Sequence, residues 1–548
     1  MKKIEKILDR YWFLVLLAVS IPAVWALFVP GFYGASDDLH IAWLYEFHKS
    51  LMMGQIPPRF VPDLSFGFGY PLFNFVFPLP FYIAEVFHIL GLSFVDSIKA
   101  VFFISIPLSA VFMFLLLKQF TKNSLLVLVG SVMYIYTPYR AVDLYIRGAV
   151  GEIVSFIFIP LVVLSVVKLN SSKSIKWVGI GAIAQASLVL SHNIAAYMFF
   201  PFLLLLFIFQ VFLSTNKKQF ILKSILAVIL GLLTCLYFWL PAILDSSLLK
   251  YDTVFNYYDH FPTIKQLLTP YWGYGASVPG PGDGMSFFLG SVNIAVLVLG
   301  LVMFIFNFKI INLNRKLLII WVIFGIASAF FLMNNRSIFI WSKIPLLPYF
   351  QFPWRFLILT TFFIPLFIIL FENIFKKSIY TIFLLLLVIV TSFSYFRPQD
   401  FLNRQDAYYL NRYIPYPVAS SEYHTLQEEY LRLPKNTQRR PDQNYPLIPP
   451  QNGIGVIKII NDLNFSFETD LNKATELSVN KYNFPGWEAK IDSAKVLLRN
   501  GEPFGQLSIN VPKGKHKVEV YFTETPLRKV LDFASLIAFL VSLFMALI

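Results

Sequence analysis

Apolar stretches long enough to cross a lipid bilayer recur along most of the chain, separated by short polar segments. The first runs from Tyr11 to Val29, about 19 residues, and a spanning helix needs roughly 20. Later stretches have a comparable length. Together they predict about twelve transmembrane helices, the later ones near residues 97–117, 123–138, 150–168, 175–191, 194–213, 221–243, 286–308, 317–333, 354–374, 378–396 and 528–548.

A further apolar stretch, between Leu72 and Leu92, carries interruptions that the others lack. Pro78 and Pro80 break its helical pattern, and Glu85 places a charge within it. Counting it as a crossing would also move the next basic loop to the opposite side of the membrane and break the alternation described below. We therefore predict a re-entrant or interface-lying hairpin between residues 72 and 92.

Basic residues mark one side of the predicted topology. The composition, 57% hydrophobic and only 14% charged, is that of an integral membrane protein, and the net charge is +14. Short basic loops contain Lys118, Lys122, Lys168, Lys173, Lys176, Lys217, Lys218, Lys223, Lys309, Arg315, Lys316, Lys376 and Lys377. By the positive-inside rule these loops predict a multi-pass membrane protein with both termini cytoplasmic. They explain the charge without a nucleic-acid partner.

The unusual polar segments then fall together on the opposite, outer face. They are residues 37–71, 139–152, 191–193, 245–285, 334–355 and 397–525.

We predict a membrane domain at 1–396 with its first outer loop at 31–96, a water-soluble domain at 397–527 and a last helix at 528–548. The soluble domain begins with an irregular part rich in Pro and Tyr, and alternating runs from about residue 453, such as 507–511 and 516–522, predict a small β-sandwich. The fold class is therefore an all-α polytopic membrane protein with a small extracytoplasmic β-sandwich domain before the last helix.

Two adjacent carboxylates, Asp37 and Asp38, follow the first span, where charges near hydrocarbon are costly. Ser36 or Asp37 could cap a helix that runs from about Asp38 to Met53. Alternatively, one carboxylate could act as a catalytic base while its neighbour tunes its pKa or holds a metal or an acceptor. His40, three residues after Asp37, could lie on the same helical face. The residues themselves leave both interpretations open.

Charged and titratable positions recur at the outer ends of later spans. Arg140, Asp143 and Arg147 have helical spacing, which predicts either a salt-bridged helix at the membrane surface or an arginine that clamps a lipid phosphate. Glu152 opens an otherwise uncharged apolar run. His192 separates two apolar spans, where a turn explains its small polar neighbours but leaves the histidine unexplained.

Aromatic residues and one more arginine complete the candidates. Tyr271 and Trp272 precede a Gly- and Pro-rich loop at 273–284, which we predict to be flexible. Aromatic faces beside polar groups suit a sugar ring or an isoprenoid chain, but Trp and Tyr also populate the interfacial belts of membrane proteins. Arg355, at the outer mouth of the tenth span, could bind a lipid phosphate or simply extend its guanidinium to water.

Familiar catalytic and metal-binding motifs are missing from the sequence. The seven histidines offer no HExxH pair and no other zinc spacing, and there is neither a GxSxG elbow nor a phosphate-loop signature. Cys235 is the single cysteine, which excludes an intramolecular disulfide and a cysteine-based metal cluster.

The first-loop run 37–40, Asp-Asp-Leu-His, resembles the acidic first-loop motif of the GT-C superfamily of polytopic glycosyltransferases. The closer resemblance is to the YfhO-like bacterial membrane proteins, and it rests on residues 145–149 with Glu152, on 352–355, and on 484–488 through 511–516. Some of these relatives are labelled "6-pyruvoyl-tetrahydropterin synthase-related", but the histidine cluster of that soluble synthase has no counterpart here. Where the family has an Asp-Gly turn, this chain has Asp492-Ser493.

The resemblance implies an inverting glycosyltransferase that moves a sugar from a polyprenyl-phosphate donor to an extracytoplasmic envelope acceptor, either a lipid, a polysaccharide or a protein. Asp37 would act as base and Asp38 as second acid, and with His40 they could hold a divalent cation. The remaining candidates would bind substrate: His40, Arg147, Glu152, His192, Tyr271, Trp272 and Arg355. The alternative is a non-catalytic transporter of lipid-linked glycans, or an envelope-assembly scaffold whose sandwich binds glycan. In either case membrane lipids surround the protein.

Overall fold

The computed structural model describes residues 2–250, 257–344, 347–373, 378–414, 433–450 and 452–548. Parts of the predicted outer segments, at 251–256, 345–346 and 415–432, lie outside these ranges. So does the predicted basic pair Lys376 and Lys377.

Helices make up the chain up to residue 413, and one further helix ends it. They are α1 (Lys2–Val24), α2 (His40–Met52), α3 (Leu79–Ile89), α4 (Phe94–Leu117), α5 (Ser124–Ile135), α6 (Pro138–Ala141), α7 (Val150–Ser171), α8 (Lys176–Ser191), α9 (Asn193–Leu213), α10 (Lys217–Thr234), α11 (Leu236–Asp245), α12 (Ile264–Leu268), α13 (Ser291–Asn307), α14 (Leu313–Leu332), α15 (Ile338–Lys343), α16 (Leu357–Leu366), α17 (Ser378–Phe393), α18 (Asp406–Tyr413) and α19 (Pro526–Leu547).

Seven helical segments among the described residues are long and apolar enough to cross a membrane, so this is a multi-pass membrane protein. They are Leu8–Phe28, Phe94–Leu117, Val150–Ser171, Asn193–Leu213, Leu313–Leu332, Pro353–Glu372 and Pro526–Leu547. Two bent pairs, α5 with the segment Pro138–Arg147 and α10 with Leu236–Leu248, would raise this to nine, at bends of 47° and 64°. Three other predicted spans form the shorter apolar helices α8, α13 and α17. The count of twelve therefore stays a prediction.

The predicted hairpin at 72–92 contains a 3₁₀ turn, Leu72–Asn74, followed by the 11 residues of α3. At a rise of about 1.5 Å per residue this helix is only about 16 Å long, roughly half the hydrocarbon thickness of a bilayer. It packs against α2 and α4. Helix α3 alone is therefore too short to cross the membrane.

The basic loops gather at one end of the helix bundle. Lys118 Nζ lies 3.1 Å from Asp9 Oδ1, and Arg315 donates to the Phe120 carbonyl at 3.2 Å. At the same end, where α7 also finishes, Lys223 donates to the Lys173 carbonyl at 2.8 Å. The soluble region contacts the opposite end of α4, where the Asp406 carboxylate accepts from the Phe94 N–H at 3.0 Å. This grouping matches the charge pattern, while the assignment of that pattern to the cytoplasmic side stays a prediction.

In the described part of the chain, eight antiparallel strands form two sheets near the C-terminus. They are β1 (Ile454–Asn461), β2 (Asn464–Leu471), β3 (Thr475–Tyr482), β4 (Trp487–Ile491), β5 (Ala494–Val496), β6 (Arg499–Gly501), β7 (Gln506–Val511) and β8 (Gly514–Phe522). One sheet has the order β1-β2-β8-β4-β5 and the other β3-β7-β6. Alternate side chains of β2, such as Phe465 and Phe467, are buried in the common core. The strands predicted at 507–511 and 516–522 are confirmed by β7 and β8.

The first loop completes the core of this sandwich. Phe60 and Phe68 are both fully buried among the sandwich side chains, and the Phe60 ring meets Trp487 edge-on at 5.6 Å. The backbone N–H of Tyr482 donates to the Phe68 carbonyl at 2.8 Å. The soluble region and the first loop are therefore one packed unit, which the sequence-based division at residue 397 did not predict.

Candidate functional site

The first loop runs alongside the segment that links α6 to α7. The backbone N–H of Ser36 donates to the Ile146 carbonyl at 3.0 Å, and that of Asp37 donates to the Arg147 carbonyl at 2.6 Å. Gly148, with φ +69°, allows this approach, since a Cβ there would lie 3.1 Å from the Ala35 Cβ. The pairing places Asp37 beside Arg147.

The helix-cap interpretation of Ser36 and Asp37 is wrong. Helix α2 begins at His40, its N-cap is Leu39, and no side chain caps it. Residues 36–39 form a turn instead. The turn places Leu39, which has no capping side chain, at the N-cap position.

The two adjacent aspartates face different neighbours. Asp37 is half-buried, and its charge acts on Arg147, Arg355 and His40. Asp38 is buried and accepts a hydrogen bond from the Tyr413 hydroxyl of α18. Burial raises the pKa of Asp38 to about 6, against the opposing effect of the Tyr413 hydroxyl. The two carboxylates therefore have different surroundings.

Arg147 lies within a buried ionic cluster rather than on a surface helix. Residues Val142–Arg147 form a π-helical segment, a geometry often found at functional sites. Nη1 of Arg147 donates to Asp143 Oδ1 at 2.5 Å and to Glu152 Oε2 at 2.8 Å. The Tyr139 hydroxyl donates to the other Glu152 oxygen. The predicted surface stripe is therefore wrong, because all of these side chains are buried within the protein.

Arg140, the first arginine of that predicted stripe, has separate surroundings. Its Nη2 donates to Ser109 Oγ at 3.1 Å, and its guanidinium carbon lies 4.1 Å from the centre of the Phe156 ring. Arg140 is fully buried and belongs to the interior of the bundle.

Arg355 brings a second guanidinium to the same cluster. It lies in the 3₁₀ turn Pro353–Phe356, its charge acts on Glu152, and the charges of Arg147 and Asp37 act on it. Its Nη1 donates to the Phe350 carbonyl at 3.1 Å, and among the described residues its buried Nε has no hydrogen-bond partner. Arg355 thus has an N–H group that is not hydrogen-bonded to any described residue, whereas Nη1 of Arg147 already donates to two carboxylates.

Two histidines face the cluster with opposite hydrogen-bonding roles. His192 caps α9, and its Nδ1 accepts from the Ala195 N–H at 3.1 Å, so the ring proton lies on Nε2. His40 Nδ1 lies 3.2 Å from the Gly148 carbonyl, so that nitrogen carries the proton and Nε2 is an acceptor. Burial lowers the pKa of His40. Phe77 of the hairpin neighbours both rings, with its centroid 5.6 Å from that of His192 and 6.4 Å from that of His40.

Trp354 covers Arg147, although the sequence analysis, which included it in the run 352–355, predicted no role for it. The Arg147 guanidinium carbon lies 5.0 Å from the centre of the Trp354 ring. Trp354 Nε1 donates to Ser277 Oγ at 3.1 Å, and Ser277 donates to Asp283 Oδ1 at 2.8 Å. The Gly-rich loop therefore reaches the cluster through Ser277.

The Gly- and Pro-rich loop at 273–284 was predicted to be flexible, but in the structure its two ends pass close to each other at Gly273 and Gly284. A Cβ at Gly273 would lie 2.1 Å from the Gly284 carbonyl oxygen, so glycine is required for close approach. The Tyr271 hydroxyl donates to the Met285 carbonyl at 2.5 Å, and Trp272 stacks on Tyr395 at 5.0 Å. These contacts tie Tyr271 and Trp272 to the loop and to the segment after α17 rather than to the charged cluster.

Among the residues that the structure describes, no group of three or more His, Cys, Asp or Glu side chains could hold a metal ion. One oxygen of Asp38 is engaged by the Tyr413 hydroxyl. The structure thus lends no support to a cation held by Asp37, Asp38 and His40.

No known protein-family profile matches the chain. It is 24% identical over 213 residues to an uncharacterized protein of Lactococcus lactis subsp. cremoris, an alignment that covers 38% of this chain and 35% of that protein. It is also similar to the cryo-EM structure of the arabinofuranosyltransferase AftD from mycobacteria, with 13% identity and a TM-score of 0.46 over 71% of this chain and 27% of that one. The chain thus spans about a third or less of the length of these two proteins. Membership in the GT-C superfamily or among the YfhO-like proteins stays a prediction.

Proposed function

We propose that this protein is a membrane glycosyltransferase of the GT-C type, which transfers a sugar from a polyprenyl-phosphate donor to an acceptor of the cell envelope. The observation that carries the proposal is the position of Asp37: its backbone N–H donates to the Arg147 carbonyl at 2.6 Å, and its half-buried carboxylate lies near enough for its charge to act on Arg147, Arg355 and His40. A carboxylate beside paired guanidinium groups suits a reaction that removes a proton and releases a phosphate.

In the proposed reaction, Asp37 takes the proton of an acceptor hydroxyl as that oxygen attacks the anomeric carbon. The new bond forms on the face opposite the phosphate, the bond from carbon to phosphate oxygen breaks, and the lipid phosphate leaves with the electron pair. Inversion follows from this single displacement. His192 would donate from Nε2 to a sugar or phosphate oxygen, and Glu152 would hold Arg147 in place.

The departing phosphate is assigned mainly to Arg355. Arg147 Nη1 is already shared between Asp143 and Glu152, whereas Arg355 Nε has no partner among the described residues. A guanidinium with unused donors gains more from an incoming phosphate than one already paired with carboxylates. Arg147 would add positive charge, with Trp354 restricting its position. Tyr271 and Trp272 would shape the neighbouring loop without contacting the sugar.

Purified protein can test the proposal with radiolabelled polyprenyl-phosphate hexoses and pentoses and an extract of envelope acceptors. We expect transfer by the parent and a loss of about 10²- to 10⁴-fold in Asp37→Asn, the usual contribution of a positioned base. Asp400→Asn, at an exposed position, is the matched control. Equal transfer by the parent and Asp37→Asn would exclude Asp37 as the base, and donor binding without transfer by the parent would favour the carrier or scaffold alternative.

The proposed sidedness needs a separate measurement. We place the soluble region and Glu152 outside a bacterial-type inner membrane, and Lys118 inside it. Reporter fusions after residues 118, 152 and 217 should read cytoplasmic, external and cytoplasmic, respectively. A cytoplasmic signal at residue 152 would contradict an extracytoplasmic site.

A further inference from the structure

We infer that Asp38 is a positioning residue, held by Tyr413 of the soluble region so that its neighbour Asp37 stays directed at Arg147 and Arg355. The inference rests on the proposed function and deepens it. It separates the roles of two adjacent carboxylates, and it makes α18 a necessary part of the site.

The surroundings of Asp38 come from the soluble region. Asp38 is 5% exposed, and one of its oxygens accepts from the buried Tyr413 hydroxyl. The cationic groups whose charges act on it are Arg412 and Arg404, both of that same region. Arg147 and Arg355 act on Asp37 instead. A carboxylate engaged in this way is poorly placed to receive a proton from an acceptor near Arg355.

Helix α18 is itself anchored to the membrane domain, so it can serve as a fixed reference for Asp38. The Asp406 carboxylate at its start accepts from the backbone N–H groups of Phe94 and Val95 at 3.0 and 2.9 Å, at the first turn of α4. Just before α18, the Arg404 carbonyl accepts from the Phe32 N–H at 2.9 Å. These bonds hold α18 at both the bundle and the start of the first loop.

The first loop is thereby clamped from two sides. On one side the Asp37 N–H bonds the Arg147 carbonyl, and on the other the Asp38 side chain bonds Tyr413. Because the two aspartates are consecutive, rotation of the backbone that freed Asp38 would also turn Asp37. Loss of the Tyr413 bond should therefore reduce the fraction of molecules in which Asp37 is aligned, without removing any group that touches substrate.

Kinetics of the full chain, with the donors and extract named above, test this role. We expect Tyr413→Phe and Asp38→Ala each to lower kcat about tenfold or more with little change in the donor KM, since small misplacements of a reacting group are costly. The double variant should be no worse than either single one. Asp38→Asn keeps an oxygen for the Tyr413 hydroxyl and should restore most of the rate lost in Asp38→Ala. Asn411→Ala, exposed on the same helix, is the control.

Hydrogen exchange supplies a readout that does not depend on turnover. In Tyr413→Phe, amide exchange should rise at residues 35–40 and 404–413 together, and stay at parental values in β2 and β8. If the parent transfers no sugar, the proposed function fails, and exchange alone decides whether Tyr413 holds the loop.

Two outcomes would overturn the inference. One is a loss of transfer in Asp38→Asn as deep as that in Asp37→Asn, which would make Asp38 catalytic. The other is unchanged exchange at residues 35–40 in Tyr413→Phe, which would show that Tyr413 does not position the loop.

Discussion

Arg59 in the first loop donates from Nη2 to Asp532 Oδ1 at 2.7 Å, joining positions 473 residues apart. The same side chain donates from Nε to Glu524 at 2.7 Å and from Nη1 to the Tyr237 carbonyl at 3.0 Å. One fully buried guanidinium thus links the first loop, α11, the end of the sandwich and the last helix.

Replacing Arg59 should separate these elements. Arg59→Met leaves two acidic side chains, Glu524 and Asp532, without their partner, and removal of one member of a buried ion pair costs about 3–5 kcal/mol. We expect the midpoint of unfolding in detergent to fall accordingly. A triple variant that adds Glu524→Gln and Asp532→Asn should recover much of the loss. An unchanged midpoint in Arg59→Met would show that the junction does not contribute to stability.

The two site arginines should respond differently to the same substitution. Arg147→Gln leaves Asp143 and Glu152 buried beside each other without a cation, so we expect a destabilisation of about 3–5 kcal/mol and a low yield of folded protein. Arg355→Gln should fold normally and lose transfer, with partial recovery in Arg355→Lys. Size-exclusion profiles and the transfer assay distinguish these outcomes. Equal folding defects in both variants would contradict the assignment of the phosphate to Arg355.

Stability should depend on pH through Asp38. Burial raises its pKa to about 6 from the ordinary 3.8, so between these values the folded protein binds a proton that the unfolded chain has released. Stability is then greatest below about pH 4 and falls as the pH rises through 6, by up to about 3 kcal/mol from this group. Unfolding midpoints from pH 4.5 to 7.5 should show a smaller decline for Asp38→Asn than for the parent or Asp400→Asn. Parallel curves would contradict the prediction.

The turn between β4 and β5 is a site where one substitution should stabilise the protein. Asp492 and Ser493 have φ values of +50° and +72°, in the left-handed region. A side chain there costs about 1–2 kcal/mol relative to glycine, so Ser493→Gly should raise the stability of the full chain by about 1 kcal/mol. Ala494→Gly, one residue later inside β5, should instead lower it by about 0.5–1 kcal/mol. The same sign for both variants would contradict the argument.

The elements of the fold followed from the sequence wherever a local pattern determined them. Apolar runs predicted the spanning helices, and alternation predicted β7 and β8, because burial on one side imposes a period on the chain. Contacts between distant segments have no such period. The insertion of Phe60 and Phe68 into the sandwich was therefore missed, since two aromatic residues in a loop have no signature of the sheet that buries them.

The candidate site was predictable to a similar degree. Arg147 and Glu152 were singled out as charges beside apolar runs, and the structure brings them together at 2.8 Å. Trp354 was included in the run 352–355 but given no role, because aromatic residues are abundant and make up 18% of the chain with Phe, Trp and Tyr combined. The sequence could not predict that Asp37 and Asp38 have different neighbours, because the difference depends on Tyr413, which lies 375 positions after Asp38.

The shared core of the first loop and the sandwich also has a meaning for biosynthesis. Lys481 of β3 donates to the Pro62 carbonyl from 419 residues further along the chain. At about 5–20 residues per second, roughly 20–80 s separate the synthesis of the two segments. Throughout that interval Phe60 and Phe68 have no sandwich to enter, and the strands made later cannot fill their interior unless the early loop emerged on the same side of the membrane. Folding of the β-sandwich therefore depends on whether the first helix was inserted in the correct orientation.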